Sequence, residues 1–213
     1  MATLLLRLAA PLQAWGSGSK FNIRTTEREP TKSGVIGMIA AAMGIQREDS
    51  EGLAPLTALK FGVRVEKEGK LLKDFHMVHE MTGKKASHVT ERYYLSDAVF
   101  IAALSSEDKA LLEKIEQAVK APVYPLFLGR RSCPPTLPVV LGLRDSGLED
   151  ALRAEPSLSG ANGSKRIVLD SENGGTAVFD VPVSFSQRHR QYAPRFKREE
   201  QLPGSEHDPM SEL

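Results

Sequence analysis

Three groups of residues in this 213-residue chain could do chemistry. The first is Arg24-Thr-Thr-Glu-Arg28-Glu-Pro-Thr-Lys32, which crowds cations ahead of Ser33-Gly-Val-Ile-Gly37, the start of a helical pattern. A helix N-terminus disfavours cations by about 0.3–1 kcal/mol each. Glu27 and Glu29 relieve part of this. A polyanion held by the free N–H groups would relieve the rest, with Gly34 and Gly37 admitting its backbone. A solvated basic loop before a core helix with two packing glycines accounts for the same residues. The second group is Gly129-Arg130-Arg131-Ser-Cys133-Pro-Pro135, a cationic loop stiffened by prolines. It suits one or two phosphates, or salt bridges to Asp and Glu. The third runs from His79 to Tyr94 and sets Lys84, Lys85, His88 and Arg92 beside Tyr93 and Tyr94. Cations for phosphates next to ring faces for bases are what a single-stranded nucleic acid needs. A surface loop with its tyrosines turned onto a sheet fits as well. Lys73, His76, His79 and Tyr94 also contain the group types of a metal-independent ribonuclease, a general base and a stabiliser of the phosphorane. Strand alternation, however, sends His76 and Lys73 to opposite faces.

The elements that must position these groups follow from hydrophobic spacing and breakers. Thr3–Leu8 is a short apolar run suited to a central strand. Ala9 to Phe21 is a loop carrying Gln13, Trp15 and Lys20, with Trp15 either a buried anchor or a stacking platform. Ile36, Ile39 and Met43 at i, i+3 and i+7 predict a helix capped by Thr31 or Ser33 and closed by Gly44. After a polar link (Gln46–Gly52) comes a strand near Ala58–Val65. A turn at Glu66–Lys70 would then return Leu71–Val78 as its hairpin partner. Ala98–Leu104 is a strong strand. Ser105–Lys120 is a helix with Leu111, Leu112, Ile115, Ala118 and Val119 on its apolar face. Tyr124–Gly129 is expected to be extended and Gly147–Ala154 a short helix. Ser157–Lys165 is a flexible link without the Gly-Lys-Ser/Thr pattern of a phosphate loop. Ile167–Asp170 and Ala177–Phe185 are expected to pair around Asn173-Gly-Gly. From Gln187 a tail begins, basic through Arg198 and then acidic. Its basic part is available to RNA or another subunit, and its last dozen residues are expected to be disordered.

The order of elements predicts an α+β fold. A βαββαβ, RRM- or ferredoxin-like palm would cover 1–75 and 96–185, with elaborations. A projecting β-hairpin thumb would cover 76–95, and a partly disordered tail 186–213. The RNP aromatic motif is absent, so base stacking on the sheet face is not expected.

Composition bounds the partners. A net charge of +1 excludes a uniformly basic nucleic-acid coat, so any such binding must use local patches. The one cysteine, Cys133, cannot form an internal disulfide, which fits a reducing cytoplasm. No Cys/His spacing calls for zinc, and no other cofactor is expected. The N-terminal apolar run lacks a basic leader region and is interrupted by Arg7, so a first strand is expected there rather than a signal peptide. No stretch is long enough to span a bilayer, and no membrane partner is expected.

Four stretches in order carry a family resemblance. They are Leu6-Arg-Leu-Ala-Ala-Pro-Leu-Gln-Ala-Trp-Gly16, Pro30-Thr-Lys-Ser-Gly-Val-Ile-Gly37, Met43-Gly-Ile-Gln-Arg47 and Phe127-Leu-Gly-Arg-Arg-Ser-Cys-Pro-Pro135. Together they resemble the "Cas five" family of subtype E, the CasD-type subunits of type I-E CRISPR Cascade. The likeness is dense to about Leu143 and weak beyond. It implies an RRM-like palm with a β-hairpin thumb that holds the 5′ handle of the CRISPR RNA. The large subunit and the last backbone subunit would be its neighbours, and it would meet target DNA only indirectly. On the matched positions, Thr31, Lys32, Ser33 and Gly34 would grip handle phosphates, with Arg24 and Arg28 nearby. Arg130 and Arg131 would form a second clamp, and Arg92 and Tyr93 would wedge or stack against a splayed base. Gln13 and Trp15 would support the palm. Some relatives in another CRISPR subtype cut precursor RNA, which keeps an endoribonuclease using His76 and Tyr94 as the alternative. In type I-E systems that step belongs to another subunit, so no catalytic residue is expected. A small-molecule enzyme at the Thr31–Gly37 helix would need an acid/base cluster there, and only Glu27 and Glu29 are on offer.

Overall fold

The computed structural model describes residues 1–16, 22–79, 87–159 and 164–202. Lys20, Phe21, Lys84, Lys85, residues 160–163 of the expected link and the tail beyond Leu202 lie outside the described residues.

The strands are β1 (Ala2–Ala9), β2 (Leu12–Gln13), β3 (Ile23–Arg24), β4 (Lys60–Lys67), β5 (Lys70–His79), β6 (Ser87–Ser96), β7 (Val99–Ser106), β8 (Val140–Arg144), β9 (Lys165–Ser171), β10 (Thr176–Ser184) and β11 (Gln191–Leu202). The helices are α1 (Lys32–Ala42), α2 (Ser50–Thr57), α3 (Lys109–Lys120) and α4 (Leu148–Ala154). The fold is thus mixed α+β with antiparallel sheets. A seven-stranded sheet has the order β10-β11-β9-β4-β7-β1-β8, and a smaller one is built around β6. Among the described residues no helix is long and apolar enough to cross a membrane.

The main sheet is covered on both faces, which is why β1 reads as an unbroken apolar run. Leu4, Leu6 and Leu8 point into the larger core beneath α1 and α3, together with Ile36, Ile39, Leu112 and Ile115. Leu5 points the other way, to Ile101, Ile167, Leu169 and the α4 residues Ala151 and Leu152. Helix α3 buries a narrow stripe (Leu112, Ile115, Val119) and is capped by Asp108. Helix α1 is buried much more widely. Thr31 is its cap, accepting from the Gly34 N–H at 3.2 Å. Gly44 (φ +75°) turns the chain out after the last turn, as expected of a left-handed terminal residue. Helix α4 has an unusual terminus: the guanidinium of Arg64, 2% exposed, donates to the carbonyls of Leu152, Glu155 and Pro156. It thereby satisfies the orphan acceptors at the helix end.

The structure corrects the expected topology in four places. Strand β5 does not return on β4; it pairs with β6 from Lys70↔Ser96 to His79↔Ser87, while β4 lies between β7 and β9. Strands β9 and β10 are not partners, because β11 runs between them. Residues 191–202, expected in the tail, are therefore a twelve-residue strand inside the main sheet. Part of the expected polar link is the start of α2, capped by Asp49 and burying Leu53 and Leu56 despite Pro55 in its interior. Tyr124–Gly129 forms no strand.

Candidate nucleic-acid interface

The base of the β5–β6 hairpin gathers the cations. Strand β6 is flanked by β5, by β2 and by the parallel two-residue β3, so that Arg24 and Asp74 both lie beside Arg92. The loop after Leu128 brings Arg130 to the same place. Gly129 makes that approach possible: its φ is +87°, and a Cβ there would meet the Ala14 carbonyl oxygen at 1.7 Å. A Cys133 N–H to Arg130 carbonyl bond of 2.8 Å closes the loop behind it.

Arg130 donates from Nη2 to the Arg24 carbonyl at 2.9 Å and lies over the Tyr94 ring at 4.5 Å. Its Nη1 and the Nε of Arg92 are buried without a hydrogen-bond partner. A desolvated guanidinium N–H without an acceptor costs on the order of 1–3 kcal/mol, more than an uncharged donor. Asp74, the cross-strand neighbour of Arg92, is turned instead to the Phe75 N–H (2.7 Å) and to His76 (3.4 Å). Arg24 and Arg131 are exposed. Tyr93 is half-buried under Lys73, which also pairs with Glu91 at 2.7 Å. The result is a cluster of arginines in which two N–H groups are buried without an acceptor, Arg24 and Arg131 are exposed, and Tyr93 and Tyr94 supply ring faces beside them.

The other expected phosphate site is built differently. Lys32 is 6% exposed; its N–H donates to Asp180 Oδ2 at 2.8 Å and its ammonium meets Asp170 at 3.5 Å. Arg195 bridges the same two carboxylates, at 2.6 Å to each. The N-terminus of α1 therefore already holds an anion, and it is part of the protein. Burial pushes the Lys32 ammonium below its ordinary pKa, only partly offset by Asp170. Thr31 is spent on its cap and Ser33 points back to Thr31 at 3.4 Å. Gly34 is required by packing, since a Cβ would meet the Trp15 ring at 2.8 Å. Trp15, 1% exposed, donates to Gln13, which in turn donates to the Leu8 and Ala98 carbonyls. Arg28, exposed on the rim, reaches Glu68 at 3.6 Å. Glu29 is buried between Arg166 and Lys197. Burial raises its pKa, but the hydrogen bonds and charges of those two cations outweigh that and hold it below the ordinary value. The expected phosphate-binding residues between Arg24 and Gly34 are thus divided, with Arg24 at the cationic patch and Thr31–Gly34 built into the scaffold.

The His76–Tyr94 pair is not assembled. Tyr94 is 3% exposed and faces Leu72 across the ladder; His76 faces Thr90, four residues farther along β5. That is roughly 13 Å of strand. Arg47, in the Met43–Arg47 stretch, and Arg188 and Arg190, in the expected basic tail, carry no individual site role in the sequence. Among the described residues these have no carboxylate partner, a property that sequence spacing does not reveal.

With this geometry in place, comparisons with known proteins bear on identity. Residues 3–198 match the family model described as CRISPR-associated protein (Cas_Cas5). The "CRISPR system Cascade subunit CasD" of Escherichia coli strain K12 is 39% identical over 156 residues, covering 65% of this chain and 70% of that one. Among solved structures, a "Crystal structure of Cas protein" is 42% identical with a TM-score of 0.78, covering 95% of each chain. A chain of a "CRISPR RNA-guided surveillance complex" is 34% identical with a TM-score of 0.80, covering 95% of this chain and 91% of its own. Sequence and backbone agree along almost the whole length, and the chain belongs to the CRISPR-associated Cas_Cas5 family.

Proposed function

We propose that this chain is a non-catalytic RNA-binding subunit of a Cascade surveillance complex in antiviral defence. It holds the 5′ handle of the CRISPR RNA and lies beside the large subunit and the last backbone subunit, meeting target DNA only indirectly. The observation that carries the RNA reading is the pair of buried, unpartnered guanidinium N–H groups of Arg92 and Arg130 at the hairpin base. A phosphate oxygen supplies both the missing acceptor and the missing charge. Arg24, Arg131 and the Tyr93 ring extend that patch. The assembly reading is supported by the CasD relative and the surveillance-complex chain.

Within this reading the run β8-β1-β7-β4 is the sheet of an RRM- or ferredoxin-like palm, with α1 and α3 as crossovers; its strand order supports that. The β5–β6 hairpin is the thumb and includes residues 70–75 as well as 76–95. Strands β9–β11 elaborate the palm. The separation of His76 from Tyr94 supports a holder rather than a nuclease, and the cytoplasm is its compartment.

The test is incubation of the full chain with CRISPR repeat RNA in EDTA, resolved on native and denaturing gels. The expected result is a shift with intact RNA, stronger for the handle than for a scrambled strand and weakened in Arg130→Ala. A discrete cut abolished in His76→Ala would overturn the holder in favour of an endoribonuclease. A shift unaffected by Arg92→Ala and Arg130→Ala together would remove the patch from the RNA path.

A further inference from the structure

We propose that a groove along α1 is a second nucleotide site, taking one unstacked base and its flanking phosphates from the strand held at the hairpin base. The inference rests on the RNA-binding reading above.

The groove has two adjoining lobes of about 250 and 270 Å³ that share Gly37, Arg47, Phe127 and Phe185. Gly129, whose neighbour Arg130 belongs to the cationic patch, lines the first lobe and joins it to that patch. Arg190, just before β11, and Tyr192, the second residue of that strand, also line the first lobe. The floor is the glycine face of α1. The Phe185 ring lies over Gly37, where a Cβ would stand in van der Waals contact with it at 3.4 Å, so a larger side chain there would press on the ring.

Charge selects the occupant. No carboxylate lines either lobe, and among the described residues neither Arg47 nor Arg190 has an ion-pair partner. Two other clefts among the described residues are lined by Glu27, Glu29 and Asp180, or by Asp170 and Glu172, and the cations that line them are paired. A site with two arginines free of ion pairs, the rings of Phe127, Phe185 and Tyr192 among its lining, and no counter-anion wants a ligand with both a negative charge and a flat face. That is a nucleotide, with its base between rings and its phosphates on the arginines. A peptide segment would leave both cations without a countercharge unless it were itself acidic. The Met43–Arg47 motif thereby gains a role: the turn after Gly44 places Arg47 at the groove mouth.

The test is photocrosslinking of the full chain to a single-stranded oligouridine of about 12 nucleotides carrying 4-thiouridine, a length within the usual reach of a single-strand-binding domain. Labelled peptides are mapped by mass spectrometry. Labelling at Phe127, Phe185 or Tyr192 is expected. Arg47→Gln with Arg190→Gln should abolish it and weaken binding about tenfold, the scale of one stacked base with its phosphate contacts. Gly37→Leu, which fills the groove without changing charge, should abolish the same labels, and circular dichroism reports whether it folds. Labels confined to the hairpin base, unchanged in these variants, would overturn the groove and leave the RNA reading standing. No label anywhere at saturating RNA would overturn both. Groove peptides protected by other Cascade subunits without RNA would assign the groove to a protein neighbour and overturn the proposal.

Discussion

Cations meet opposite fates in two regions of the molecule, around β9–β11 and around the hairpin base with the groove along α1. Toward β9–β11, Lys165, Arg166, Arg195, Lys197 and Arg198 each pair with a carboxylate, several from distant parts of the chain such as Glu29, Glu66 and Glu149. Even Arg166, whose Nη2 lacks an acceptor, faces Glu29, Glu68 and Glu199. Toward the hairpin base and the groove, Arg24, Arg47, Arg92, Arg130, Arg131 and Arg190 have no carboxylate partner among the described residues. Both regions are basic in sequence, but only the second carries uncompensated charge. The first region is held together by its own ion pairs. The second region leaves room for a polyanion, which is where the proposed function puts the RNA on a chain of net charge +1.

The sharpest way to break this division is at Arg195. Arg195→Ala leaves Asp170 and Asp180 half-compensated beneath β10 and should cost about 3–5 kcal/mol, as for a broken buried pair. Denaturant unfolding measures it. RNA affinity of the fraction that remains folded should be unchanged, and a fall there would show that β9–β11 belongs to the RNA path. Next in size is Arg130→Ala. It removes an uncompensated charge, so stability should change by less than about 1 kcal/mol while RNA binding weakens by about 1.5–3 kcal/mol. The slope of log K against log salt should shrink by about 0.7 for each phosphate that the protein no longer neutralises. Titrations at several salt concentrations separate that from a folding defect, which would leave the slope intact.

A smaller effect is set by pH. Glu29 and Glu66 are buried, which raises their pKa values. Lys197 and Arg166 for Glu29, and the Leu158 N–H, Lys165 and Arg64 for Glu66, reverse this and leave both below the ordinary carboxylate value. A depressed folded pKa contributes stability that is fully present above the unfolded value and lost as pH falls through the folded one. Stability should therefore decline below about pH 4.5 toward pH 2. Glu66→Gln should be less stable at neutral pH and flatter across that window. An equal slope in the variant would deny these pairs a role.

How much was legible follows the same line. The N-terminal strand, α1 with its Thr31 cap and Gly44 terminus, and α3 were readable because apolar periodicity and caps are local signals. The expected hairpin lies near its true position, and Gly129-Arg130-Arg131 stands out by composition. Strand β11 was missed because Arg195-Phe-Lys-Arg198 reads as a basic tail until Asp170 and Asp180 from β9 and β10, and Glu29 from the bend before α1, are brought to it. Helix α2 was missed because Gly52 and Pro55 depress helix propensity, and only the burial of Leu53 and Leu56 restores it. Pairing partners are long-range, so no window of sequence distinguishes Arg130, left with a free N–H, from Lys32, tied to Asp170.

Lys32 gives the finest test of the comparison. It stands in the family motif, in a cation-rich run at a helix N-terminus, and on sequence grounds it should grip phosphate. In the structure its ammonium is buried and paired, and its N–H is bound by Asp180. Lys32→Met keeps the stem's packing and the backbone bond, and Arg195 still compensates Asp170. Replacing one member of a buried ionic cluster by a hydrophobic side chain of similar length should then change stability little, because the desolvation cost of the ammonium disappears with it. RNA affinity should fall by less than about twofold, under roughly 0.5 kcal/mol. A fall as large as that of Arg130→Ala would mean that the ammonium leaves Asp170 for the RNA, and that the paired region opens on binding.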